Sequence, residues 1–375
     1  MRNLFFILLL FVLTSYETDS AYHTIKSETS SLLNLKWNKA YADDSIEKSI
    51  IGLKWGLSYL GAVLPKNLNG ISVSENVITI DIDQLGFSSN AIEKLNLLHY
   101  KMIASEEYKV NGAIDLGRYI SLLLGASQHY YEIVATPDRL DVLLQHYTLQ
   151  NQKGYINNSS VSHQHRRIQF SDQQGFSQLI IAEEIHPVTK EIYEYETIEL
   201  LPNGQLRFGI FDKNGNRKNN ADKSHSDAGK PAKCMWCHES NIQQLFQQQS
   251  DFTDYYNYSE LQKRLMDYRQ SNIDLKMTLT DGVAFSQTQQ HTLTELLYIS
   301  FMEPSAQRLS LEWGIPIGEV QKKLSGIPTH VYPEFPFLGN LYNRNTVEIF
   351  APFKGLKVSG SVRELSETEV NHLSE

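Results

Sequence analysis

Residues 191–211 read EIYEYETIELLPNGQLRFGIF, and this stretch decides between an all-helical and a mixed chain. Tyr193 and Tyr195 alternate with Glu194 and Glu196, the period of two that a β-strand requires. Pro202-Asn203-Gly204 supplies turn chemistry, and Leu206, Phe208 and Ile210 return with one apolar side. Upstream, LIIAEEI at 179–185 is a further strand, and Asp212-Lys-Asn-Gly215 is a second turn. Residues 161–218 are therefore expected to form a small antiparallel sheet. His163 and His165 stand two apart before its first strand, where they would face the same way. Such a pair can share a metal, but no third ligand is near, and a solvated pair is the plainer reading.

The text before this sheet is mainly helical. In residues 45–65, Ile46, Ile50, Leu53, Leu57 and Leu60 fall on one stripe; Asp44 and Glu47 suit the start and Pro65 the end. A short strand is expected at Val77–Asp83, followed by helices at 90–105 and 116–124. Asp81 and Asp83 read as a solvated strand side, and Gln128-His129-Tyr130-Tyr131 as buried tyrosines with bonded hydroxyls. The expected class is α+β, mainly helical, with a helical N-terminal domain at 21–160 and the antiparallel region at 161–218. Residues 331–375, which include HVYPEFPFLGNLY, read as an extended segment wrapping over a neighbour.

The N-terminus, MRNLFFILLLFVLTSYETDSAYH, carries Arg2, then an apolar run from Leu4 to Leu13, then small residues before Ala21. This is the pattern of a secretory leader over residues 1–20, and the run is too short to span a bilayer as a helix. A periplasmic or secreted protein with no transmembrane segment in the mature chain is expected. The formal net charge of −9 over 375 residues argues against a general nucleic-acid binder, which needs a basic surface.

Residues 231–241, PAKCMWCHESN, hold the only two cysteines of the chain, Cys234 and Cys237, with His238 next. A disulfide across two intervening residues closes almost no loop, so a structural staple is not expected. Cys234 to His238 resembles the haem-attachment motif of c-type cytochromes, C-x-x-C-H. The resemblance covers these five residues only. It implies one covalent haem c, with Cys234 and Cys237 as thioether tethers and His238 as the proximal iron ligand. It further implies a helical cytochrome c-like haem domain, placed at 219–330, and electron transfer with a redox partner protein. About 200 residues precede the motif and lie outside the resemblance.

By analogy with small c-type cytochromes, a distal methionine should follow the motif. Met277 reads as lying in a non-helical connector and is the first candidate; Met302, at a helix end before Pro304, is the second. Each also reads as an ordinary core methionine. Met266 falls inside a helix that opens with Ser259 and Gln262. Another capping box is expected at Thr292 and Glu295. His225 and His291 are histidine alternatives. An open iron site would instead give a peroxidase-like enzyme. The motif also permits a haem-free exported protein with a C-x-x-C redox disulfide, half a zinc site completed by His225 and His238, or chance.

Overall fold

Leu33 and Leu35 alternate with Asn34 and Lys36, and this pattern makes strand β1 (Leu32–Lys36), with both leucines fully buried. The structure is a computed structural model that describes residues 32–67, 69–279, 282–285, 287–360 and 369–374, so the expected leader at 1–20 lies outside the described residues. Helix α1 (Ile46–Ser58) follows, capped by the Ser45 side chain, which accepts from the Lys48 amide. It stops before Pro65, because the chain turns at 59–61 and Gly61 takes a positive φ. Strands β2 (Ile71–Ser74) and β3 (Val77–Asp81) form a hairpin. The expected strand to Asp83 instead bends into a short 3-10 turn, where Asp81 accepts from the Asp83 amide and from Gln84. Then come α2 (Ser89–Ala104), α3 (Glu106–Asn111), β4 (Ile114–Asp115), α4 (Leu116–Leu124), α5 (Ser127–Ile133) and α6 (Leu140–Leu144).

The first sheet has the order β2–β3–β1–β4, antiparallel except for the parallel pair β1–β4. The region 21–160, expected to be helical with one strand, therefore holds these four and a fifth at Gly154–Ile156. Four were invisible locally because they are short and gain their stability from partners distant in sequence.

The second sheet is antiparallel as expected, but only its last three strands were anticipated: one strand lies before residue 161, and His165 opens another instead of preceding the first. Strands β5 (Gly154–Ile156), β6 (His165–Phe170), β7 (Leu179–Ile185), β8 (Ile192–Leu200) and β9 (Leu206–Asp212) form an antiparallel meander in sequence order. Gly204 takes the positive φ that the β8–β9 turn requires. One side of this sheet packs on α6 through Leu140, Leu143, Leu179, Ile181 and Phe211. The other side carries the candidate site.

The remaining helices are α7 (Pro231–His238), α8 (Tyr258–Leu279), α9 (Thr292–Met302), α10 (Ala306–Trp313), α11 (Ile317–Lys323) and α12 (Arg344–Val347). The chain is α+β. Of the helices in 219–330, α7 lies against β9 and α5, and α9 against α1 and α4, whereas α10 and α11 pack on each other. A single apolar core runs through both sheets, α7 and α9. Helical periodicity announced these helices; it does not specify which elements they bury against.

Met277 lies within α8, not in a connector. The reason is plain in the sequence: no glycine or proline interrupts residues 258–279, so nothing ends the helix before Met277.

Candidate functional site

Pro231 opens α7 at the position where its missing N–H costs nothing. The residue before it, Lys230, is almost fully buried; its ammonium pairs with Glu369 at 3.0 Å and donates to the Gly125 carbonyl at 3.1 Å. Met235 and Trp236 turn into the core, and the Trp236 ring meets Tyr298 of α9 at 5.2 Å. Cys234 and His238, four apart, share the opposite side of the helix. Cys237, on the same turn, is exposed. The two thiols are not joined.

After His238 come two consecutive left-handed residues without glycine's freedom, Glu239 (φ 49°) and Ser240 (φ 62°). Their strain is held in place. The Glu239 amide donates to Met235 O, and the buried Ser240 hydroxyl donates to Tyr59 Oη at 2.8 Å. The His238 carbonyl accepts from the Asn241 amide at 2.8 Å and from Gln243 Nε2 at 3.1 Å. The tight reversal brings the segment after the motif back across the sheet.

Together these elements enclose a cleft of about 700 Å³, counting the part open to solvent. Its floor is the even-numbered side of the second sheet: Ile168, Ile180, Ala182, Ile198 and Phe208. The register brings these together, with Ile180 opposite Ile198 and Ile198 opposite Phe208. Ile242, Leu245, Phe246 and Leu265 close the other wall, and Cys234 and His238 enter from α7.

Burial dominates the chemistry of the motif. It pushes the His238 imidazole down to about 4, so the ring is neutral, and the buried Nδ1 has no hydrogen-bond partner. The ring lies 5.7 Å from that of Phe208. Burial, aided by Glu196, pushes the Cys234 thiol well up. A reactive redox thiol needs the opposite shift.

One corner of the cleft is polar. Arg166 donates to both oxygens of Glu196 at 3.1 Å and pairs with Glu184 through Nε. Ser226 donates to Glu196 at 3.0 Å. Glu184 is fully buried, and burial raises its carboxyl.

The structure separates the remaining candidates from this cleft. Met302 is buried in the core at the end of α9, one turn beyond Tyr298. His225 stacks on Tyr193 at 4.0 Å. His291 is buried beside Trp55 and lies 3.8 Å from Glu239. His163 bonds Asp227 at 2.8 Å, while His165 bonds Tyr155 at 2.7 Å, so the two histidines have separate partners. Among the described residues no three of His, Cys, Asp and Glu converge as for a metal ion, and His225 is not brought to the cysteine pair.

The floor of the cleft and its Arg166–Glu196 corner were not anticipated, although their signal was present. Glu194 and Glu196, and Leu206, Phe208 and Ile210, had been read as single-sided runs; pairing β8 with β9 makes those sides one. Comparison with protein-family models, with curated proteins and with solved structures finds no match for this chain.

Proposed function

We propose that the chain is an exported mono-haem c-type protein that exchanges electrons with a redox partner. Cys234 and Cys237 tether the haem and His238 supplies the proximal ligand. The observation that carries the reading is the shared aspect of Cys234 and His238: both open from one helix turn onto the same cleft, whose floor is apolar. A neutral, half-buried imidazole whose Nδ1 has no hydrogen-bond partner is chemically suited to bind iron. A haem held there would supply one-electron chemistry. The chain's own contribution would be exclusion of water by Ile168, Ile180, Ile198 and Phe208, a lever on potential. The leader-like residues 1–20 support export, where covalent attachment takes place in the family the motif resembles. No helix among the described residues is long and apolar enough to cross a membrane.

The test is an absorption spectrum of the mature chain. It would be exported in a host competent for covalent haem attachment, then denatured and reduced in alkaline pyridine. A haem band that survives denaturation is expected, and Cys234→Ala with Cys237→Ala should abolish it. Absence of the band, while a control cytochrome matures in the same cells, would overturn the reading and leave the dithiol as the chemistry of the motif.

A further inference from the structure

We infer, resting on that haem reading, that the iron bound by His238 receives no methionine from this chain and is open to a small uncharged ligand, a diatomic gas above all. The placement of the two methionines carries this. Trp236 and Cys234 project from opposite sides of α7, and Trp236 faces α9 through Tyr298. Met302 lies one turn beyond Tyr298 on α9, is buried in the core and does not line the cleft. Reaching the cleft would require Met302 to leave a core position that is 3 % exposed. The α8 residue that lines the cleft is Leu265, and residue 277 stands twelve positions further along the same unbroken helix, about 18 Å at the helical rise. It belongs instead to the end of α8 that packs on the β8–β9 turn, where Lys276 abuts Gly204.

The side chains that do line the cleft include no methionine and no second histidine among the described residues. Beyond Cys234 and His238, its polar groups are Arg166, Glu196, Thr197 and Gln243. None is a methionine or histidine of the kind that usually completes the coordination of an electron-transfer haem. Gln243 is committed through Nε2 to the His238 carbonyl, and Arg166 is already matched by Glu184 and Glu196. The corner therefore offers no spare positive charge to draw in an anion, and the rest of the wall is apolar. An uncharged ligand is the class that such a lining admits.

The experiment uses the full chain matured in the haem-attaching host. Electron paramagnetic resonance and absorption spectra of the ferric form are recorded first, and the ferrous form is then titrated with carbon monoxide. A high-spin ferric spectrum, saturable carbon monoxide binding, and spectra unchanged in Met302→Leu and Met277→Leu are expected. A low-spin resting spectrum would overturn the inference while leaving covalent haem standing. Loss of that low-spin signal in one methionine variant would name the ligand. The wild-type spectrum decides even where a variant fails to fold. Absence of covalent haem would overturn both this inference and the reading beneath it.

Discussion

His129 is fully buried, and both of its ring nitrogens are committed. Nδ1 donates to the Leu122 carbonyl at 2.6 Å, and Nε2 accepts from the His372 amide at 2.8 Å. Protonation would turn that acceptor into a donor facing another donor. Burial accordingly lowers the group to about 4, from an unfolded value near 6.5. The sign follows from a depressed folded value in a base. Stability is fully present above the unfolded value and is lost as pH falls from about 6.5 through about 4, by roughly 3 kcal/mol at most. Urea denaturation of wild type and His129→Gln at several pH values checks this. The variant should be weaker at neutral pH, and the gap should narrow on acidification; a constant gap would remove His129 as the source. Gly117 offers a second test at this scale. A Cβ there would meet Phe301 Cβ at 2.5 Å and Leu297 O at 2.9 Å, so α4 approaches α9 too closely for any side chain. Gly117→Ala should cost about 1–3 kcal/mol through overpacking, read as a lowered denaturation midpoint with unchanged m.

Helix α8 begins with a reciprocal cap. Asn257 Oδ1 accepts from the Glu260 amide at 2.9 Å, and Glu260 Oε2 accepts from the Asn257 amide at 3.0 Å. Asn257→Ala should cost about 1 kcal/mol and fray the first turn, visible as a loss of helical circular dichroism and of amide protection confined to that end. The Ser259–Gln262 pair identified the right helix but a cap two residues late. Thr292 is the first residue of α9 and not its cap, because a 3-10 turn runs directly into the helix from residue 288. Such offsets show where local sequence is informative. β7 and α4 were legible to the residue, and β8 and β9 nearly so, because period, turn chemistry and flanking breakers agree there. The cleft was not legible, since its floor exists only once β6 to β9 are in register and α7 is laid across them. The motif fixed Cys234, Cys237 and His238 as a unit. It carried no information that a sheet would face them, or that Met302 would be buried away from the cleft lining.

At the scale of the whole molecule, the N-terminal and C-terminal thirds are tied by charge rather than by apolar contact alone. Arg344 binds Glu312 through two nitrogens at 2.7 and 2.9 Å, and Arg308 binds Asp115 at 2.7 and 2.9 Å and also pairs with Glu312. Arg118 reaches Glu107 and Glu348, each at 2.6 Å. All three guanidiniums surround the Phe301 ring, with Arg344 nearest at 3.9 Å. Burial alone would raise Glu312; Arg344 and Arg308 outweigh it and hold the carboxyl at about 2. Glu312 therefore contributes stability above its unfolded value, near 4.5, that is lost as pH falls toward about 2. Removing one member leaves uncompensated buried charge. Glu312→Leu or Arg344→Met alone should each cost about 3–5 kcal/mol, whereas the double variant Glu312→Leu with Arg344→Met should cost much less than their sum. Denaturation of the four proteins in a double-mutant cycle decides the point. Additive losses would mean that the two side chains act independently and that the ends of the chain are held by packing alone. A large coupling would mean that α4, α9, α10 and α12 are locked as one unit. Because α7 packs against α9 through Trp236, that lock also fixes the backing against which the Cys234–His238 turn is held.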